Sequence, residues 1–358
     1  MNIESGNKIK VAVAMSGGVD SSVAAVIMTN KYGKNNVIGL TMKLFCYQDT
    51  ENKKSCCSLD SIEDAKTVCN KLGIAHYVIN AEKEFKKEVI NNFITEYDEG
   101  RTPNPCVRCN KYIKFDLLIK KAREYGINYV ATGHYAQIEN NGQEYKLLKG
   151  IDSGKDQSYF LYDLPQEKLQ SILFPLGKMT KLNVRKIAKK YDLVTAYKKE
   201  SQDICFISNT VEEFLKSRIK QKSGSIVDLK GKKLGKHEGL ALYTIGQRKG
   251  LGGGFKEPMF VIRSDRKTNE LVIGPEINLF TNELVAEKIV WVSKKIPTFP
   301  FNCKTRIRYQ SEETGCQIEE YNNKIKVYLA TPQRAISPGQ SVVFYLNDVV
   351  LGGGIIAG

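Results

Sequence analysis

The stretch Lys10-Val11-Ala12-Val13-Ala14-Met15-Ser16-Gly17-Gly18-Val19-Asp20-Ser21-Ser22 decides the fold of this chain. Lys10–Met15 is a short apolar run and reads as a buried strand. Ser21–Tyr32 reads as a helix stopped by Gly33. The loop between them frees backbone N–H groups at Gly17 and Gly18. With the helix N-terminus these make a nest for an anion. Ser16, Ser21 and Ser22 add hydroxyl donors, and Asp20 suits Mg²⁺ or an ordered helix start. No Gly-Lys-Ser/Thr follows, so this is not a Walker loop, and G-x-G-x-x-G is absent, which excludes the dinucleotide fingerprint. A functionless glycine turn is the bland alternative; the strand–loop–helix setting weighs against it.

Working outward, Val37–Met42, Ala75–Ile79 and Tyr129–Thr132 read as further strands. Ile62, Ala65, Val68, Cys69 and Leu72 share one helical face that ends at Gly73. Helices are expected near 82–97 and 111–125, split by a loop holding Pro103 and Pro105. This alternation predicts an open parallel sheet covered by helices, with ligands at the carboxyl ends of the strands. Gln137–Leu148 alternates around Asn141-Gly142 and reads as a hairpin. Thr180–Tyr191 reads as a basic helix, and Thr210-Val211-Glu212-Glu213 is a capping box opening another. Past about Ile219, glycines cluster and short β-rich runs dominate. The expected architecture is an α/β N-terminal domain (1–215), a small β-rich central domain (216–282) and a C-terminal β-barrel (283–358).

The net charge is +15, from 54 Lys+Arg against 39 Asp+Glu. Residues 1–215 contribute +5, residues 216–358 contribute +10, and 216–250 alone carry +8. A basic second half points to a polyanionic partner, and Lys230, Lys232, Lys233 and Lys236 are its densest cluster. No run approaches a membrane helix, and the N-terminus has no apolar signal core, so neither a membrane nor secretion is expected. Nine cysteines, an odd number, read as reduced thiols in cytoplasm rather than a disulfide framework. Cys46, Cys69, Cys303 and Cys316 read as packing residues; Cys56 and Cys57 fall in a polar loop with no evident task.

The chemistry-bearing thiols stand in Gly100-Arg101-Thr102-Pro103-Asn104-Pro105-Cys106-Val107-Arg108-Cys109-Asn110-Lys111 and Ser201-Gln202-Asp203-Ile204-Cys205-Phe206-Ile207. Placed before a helix starting near Lys111, with Arg108 and Lys111 beside it, Cys109 should favour the thiolate. Zinc is a poor reading, because one C-x-x-C lacks a second pair. A [4Fe-4S] cluster on Cys106, Cys109 and Cys205 with one open iron stays open. Of the histidines, His76 reads as packing and His134 as a contact residue at a strand end.

SGGVDSS, GRTPNPCVRCN, ATGHY (131–135), KDQSYFL (155–161), SQDICFI (201–207) and YTIGQRKGL (243–251) occur in this order. The first is similar to the PP-loop of ATP pyrophosphatases, and together they resemble bacterial tRNA-specific 2-thiouridylases over nearly the whole chain. The resemblance implies conversion of the wobble-uridine O2 to sulfur at the expense of ATP with Mg²⁺. It implies tRNA as substrate and a cysteine desulfurase or relay protein as sulfur source. It places ATP on Ala14, Met15, Ser16, Gly17, Gly18, Val19, Asp20, Ser21, Met42 and Gly133. It makes Cys205 the persulfide carrier and Cys109 its partner nucleophile. Asn104, Pro105 and Cys106 would face the target base; His134, Lys155, Asp156, Gln157, Arg308, Tyr309 and Gln340 would contact tRNA. One departure matters: Cys106 stands where better-known members have Asp, which keeps the persulfide and cluster routes both open. The other functions weighed are 4-thiouridine or lysidine synthesis and non-enzymatic tRNA binding.

Overall fold

The structure is a computed structural model and describes residues 9–45, 59–199, 204–293 and 296–358. Cys46, Cys56, Cys57 and Ser201–Asp203 lie outside the described residues.

Strand β1 (Val11–Ala14) is buried on both faces, as its unbroken apolar run dictates. It leads through the glycine loop into α1 (Val19–Tyr32), which Gly33 ends at φ 83°. Next come β2 (Val37–Lys43), α2 (Leu59–Leu72) and β3 (Ala75–Asn80). Two longer helical stretches follow, at 82–98 and 105–124, and then β4 (Tyr129–Ala131). The chain continues into the hairpin β5 (Ala136–Asn140) and β6 (Tyr145–Lys149), and into the short β7 (Ile172–Leu173). Strands β3-β2-β1-β4-β7 form one parallel sheet. The connections run one way from β1 to β2 and the other way from β4, so the switch point lies between β1 and β4. A crevice for a ligand opens there, at the carboxyl ends of these two strands. After β7 comes the basic helix α3 (Lys181–Lys190), capped by Thr180, whose hydroxyl accepts from the Asn183 N–H.

The central domain is a four-stranded sheet of β8 (Gly224–Val227), β9 (Lys233–His237), β10 (Phe260–Asp265) and β11 (Glu270–Gly274). The C-terminal strands are β12 (Phe280–Trp291), β13 (Phe301–Arg306), β14 (Thr314–Tyr321), β15 (Lys324–Arg334), β16 (Ser341–Leu346) and β17 (Val349–Ile356). They close into a barrel through the β12–β17 pairing.

Two features differ from the sequence reading. The β5–β6 hairpin, expected within the 1–215 domain, pairs with the last barrel strand through Val349↔Leu148. The 105–124 helix begins at Pro105, not near Lys111. Asn104 caps it by accepting the Val107 N–H, and Pro105 takes the first helical position, where its missing N–H costs nothing.

Candidate active site

The glycine loop is built by close approach. Gly17 has φ +68°, and a Cβ there would lie 2.1 Å from the Ser61 carbonyl oxygen. Only glycine lets α2 press onto the loop. A Cβ on Gly133 would lie 2.8 Å from the backbone of Asp20 and Ser21, so the loop after β4 abuts the start of α1. The Ser21 and Ser22 hydroxyls donate to the Gly18 carbonyl (3.0 and 2.8 Å), and the Ser16 N–H donates to the Ser21 hydroxyl (3.2 Å). Ser16 is exposed, whereas Met15 and Val19 are buried in the core behind the loop. Ala14 and Met42, at the carboxyl ends of β1 and β2, are partly buried.

Two lysines that the sequence reading missed reach this loop. Lys181 Nζ lies 2.7 Å from the Asp20 carboxylate, which also accepts from the Tyr135 hydroxyl (2.8 Å). Lys198 Nζ donates to the Gly17 carbonyl (3.0 Å) and pairs with Asp64 (2.6 Å). The Thr180 cap and the basic run of α3 foreshadow Lys181; nothing in the local sequence marks Lys198.

Beside the loop is a cavity of about 460 Å³. It brings together Asp20, Pro105, Cys106, Cys109, His134, Lys155, Gln157, Cys205 and Tyr309. Lys114, Asn110, Phe160 and Gln310 are also in its wall and are not marked by the sequence reading. Cys106 is exposed in the first helical turn, while Cys109 is buried one turn on, at the start of a π-helical stretch (Cys109–Leu117). The helix N-terminus therefore favours charge at Cys106 rather than at Cys109. Arg108 and Lys111 are each engaged by an acidic residue. Arg108 bonds the Glu88 carbonyl and carboxylate (2.7 and 3.4 Å), and Lys111 pairs with Asp163 at 2.8 Å. The lysines that face the cavity with the thiols are Lys114, Lys155 and Lys181.

Cys205 rides on a turn closed by the Ile207 N–H donating to the Ile204 carbonyl (3.0 Å). Phe206 anchors that turn among Phe85, Phe93 and Phe214. Among the described residues no group of three His, Cys, Asp or Glu side chains is arranged to hold a metal ion. Cys106, Cys109 and Cys205 share a cavity without forming such a group, a geometry that does not fit a [4Fe-4S] cluster.

His134 is buried, its Nδ1 2.8 Å from the Thr132 hydroxyl. Burial, and then the nearby Lys114, hold its pKa well below the usual histidine range, so it is neutral. Gln157 is tied to Tyr135 in both directions, by N–H to carbonyl (2.9 Å) and by Oε1 from N–H (3.0 Å). Asp156 is only 2% exposed, and its carboxylate accepts from Gly150, Ser158 and Arg306 inside the protein. A second groove of about 540 Å³ adjoins at Tyr309 and Gln310 and is lined by Thr244, Gln247, Arg308, Arg334 and Gln340. Gln340 donates to the Thr102 and Pro103 carbonyls (2.9 and 3.3 Å) and so props the loop leading to Asn104. Burial, then Arg334, lowers the Arg308 pKa. A further groove of about 730 Å³, between α1 and the β5–β6 hairpin, is lined by no thiol and none of the loop residues.

Of the four cysteines read as packing residues, Cys69, Cys303 and Cys316 are buried and Cys46 lies outside the described residues. Cys69 is fully buried, and burial pushes its thiol up to about 12. Cys303 and Cys316 are buried cross-strand partners with sulfurs 3.5 Å apart.

Residues 9–209 match the tRNA methyl transferase HUP domain, 212–275 the tRNA methyl transferase PRC-barrel domain, and 281–356 the aminomethyltransferase β-barrel domain. The chain is 46% identical to the tRNA-specific 2-thiouridylase MnmA of Acetivibrio thermocellus, over 98% of this chain and 99% of the relative. It is 48% identical to that of Halothermothrix orenii, over 97% and 98%. A solved structure, the U34-tRNA thiolase NcsA from Methanococcus maripaludis with its [4Fe-4S] cluster, matches at 19% identity and a TM-score of 0.36, over 56% of this chain and 61% of that one. A likeness that loose says nothing about a cluster in this chain.

Proposed function

This chain belongs to the tRNA-specific 2-thiouridylase family, and from that premise we propose how its cavity performs ATP-dependent thiolation of tRNA. The substrate carbonyl is C2=O of the wobble uridine. Oxygen there is a poor leaving group, so it first attacks the α-phosphorus of ATP and releases pyrophosphate. Ala14–Ser21 and Gly133 cradle the phosphates, and Lys181 and Lys198 are the cations at hand. Asp20, held by Lys181 and Tyr135, is the carboxylate at the loop that would face a Mg²⁺ ion bound with ATP, which would offset phosphate charge.

The uridine leaves its stack and enters the cavity beside Asn104, Pro105 and Cys106. Cys205 carries a persulfide whose terminal sulfur attacks C2 and expels AMP. Cys109 then attacks the Cys205 sulfur, breaking the S–S bond and leaving the terminal sulfur on the base. A Cys109–Cys205 disulfide results, and an external thiol reduces it. The observation that carries this reading is the presence of Cys109 and Cys205 in one cavity that also borders the ATP loop at Asp20. The sulfur reaches Cys205 from a cysteine desulfurase or relay protein, in the cytoplasm.

Cys109→Ser and Cys205→Ser should abolish 2-thiouridine formation yet leave tRNA-dependent release of pyrophosphate from ATP. Loss of pyrophosphate release in both would remove the division of labour proposed. Retained thiolation in either would remove that cysteine's role, and retention in both would favour a chemistry needing no thiols, such as lysidine synthesis.

A further inference from the structure

The buried Asp156 lies between the catalytic cavity and the barrel. Its Oδ1 accepts the Gly150 and Ser158 N–H groups (both 3.1 Å), and its Oδ2 accepts the Ser158 hydroxyl (3.0 Å) and Arg306 (3.0 Å). Arg306 ends β13 of the barrel. Its other guanidinium nitrogen binds Glu313 (2.9 Å), which pairs in turn with Lys149 (2.6 Å). The two cations flank the fully buried Tyr345 ring, at 5.4 and 4.8 Å. This carboxylate has no lone pair left for RNA, and a buried anion is retained only when paired.

The neighbours of Asp156 in sequence do the opposite. Lys155 and Gln157 line the cavity with Cys109 and Cys205. Gln157 bonds Tyr135, whose hydroxyl reaches Asp20 in the ATP loop. Two and three residues beyond Arg306, Arg308 and Tyr309, which the family resemblance gives to tRNA contact, line the adjoining groove.

We propose that Asp156 is a positioning residue: clamped by Arg306 from the barrel, it fixes the 150–158 loop so that Lys155 and Gln157 point into the thiolation cavity. The barrel then does more than grip RNA, because the cavity is assembled against it. This rests on the thiolation reading for its catalytic consequence, but the loop ordering can be measured without it.

The test uses full-length Asp156→Asn, Arg306→Met, Arg306→Lys and the double variant Asp156→Asn with Arg306→Met. Amide hydrogen exchange is read first, with no activity required. Gly150 and Ser158, in the catalytic domain, should exchange faster in Arg306→Met, a change made in the barrel. Unchanged protection there overturns the inference, whether or not the protein thiolates tRNA.

Kinetics follow. Misaimed cavity groups should lower kcat for 2-thiouridine formation by about tenfold or more. The KM for tRNA should stay within about threefold, because phosphate contacts elsewhere dominate affinity. Arg306→Lys should recover part of kcat relative to Arg306→Met, and the double variant should be no worse than the worse single. A raised KM with unchanged kcat would make Asp156 part of RNA binding instead, and additive losses would separate the two residues; either result overturns the proposal. A wild type that releases pyrophosphate but makes no 2-thiouridine would count against the thiolation reading, while the exchange result still decides the loop.

Discussion

His134 illustrates how one side chain's surroundings set its role. Its ring packs against Phe115 and Phe174 and bonds Thr132, so the neutral form is the one accommodated. The folded-state pKa lies below the unfolded value of about 6.5. A depressed pKa means that the unfolded chain binds more protons, so the stabilisation is present above that value and is lost as pH falls below it. The melting temperature should therefore drop more steeply below about pH 6.5 in the wild type than in His134→Gln. His76 and His237, also lowered by burial first, persist in both proteins, so the comparison isolates His134. Identical pH profiles would contradict the account. At this scale the sequence was informative about which residues matter and less so about how. Cys106, Cys109 and Cys205 stood out as thiols, but only the folded chain shows Arg108 and Lys111 spent on Glu88 and Asp163. Such pairings join residues about 20 and 52 apart, beyond the reach of local patterns.

The element proposed to hold ATP is the turn from β1 into α1. Gly17 is there because α2 leaves no room for a side chain and the backbone sits at positive φ. Gly17→Ala should weaken ATP binding by at least about tenfold, since strain and clash together displace the loop. Equilibrium binding of an ATP analogue checks this, and an unchanged affinity would mean that the loop does not hold the phosphates. Strand–loop–helix alternation made this element legible from periodicity alone. The start of the 105–124 helix was misjudged although its signal was present: Asn104 followed by Pro105 is a cap and a first helical residue. Because Pro105 opens the helix instead of lying in the loop before it, Cys109 stands inside the helix and not in front of it. The placing of the β5–β6 hairpin against the barrel could not be read locally, because its partner, Val349, is some two hundred residues away in sequence.

Across the whole molecule, charge and architecture divide the work. The parallel sheet carries the glycine loop, and the central domain exposes Lys230, Lys232, Lys233 and Lys236 on the β8–β9 hairpin, where Asp228 shapes the turn. Among the described residues no carboxylate forms an ion pair with these four lysines, which leaves them available to phosphates. Changing all four to Gln should weaken tRNA binding. It should also flatten the plot of log K against log salt by roughly 0.7–0.9 per lysine that touches a phosphate. A slope equal to the wild type's would place RNA elsewhere. No helix among the described residues is long and apolar enough to cross a membrane. The basic excess in 216–358, visible by counting, thus has a surface to act from, whereas the convergence of barrel, central domain and cavity around Tyr309 emerges only from the folded chain. The central claim, that this cavity replaces the uridine C2 oxygen by sulfur, is tested most directly by mass spectrometry of nucleosides. The tRNA is first incubated with the full-length protein, ATP and either sulfide or a persulfide donor. The account predicts 2-thiouridine at the wobble position that requires ATP and the persulfide donor; its absence with both sulfur sources would contradict it.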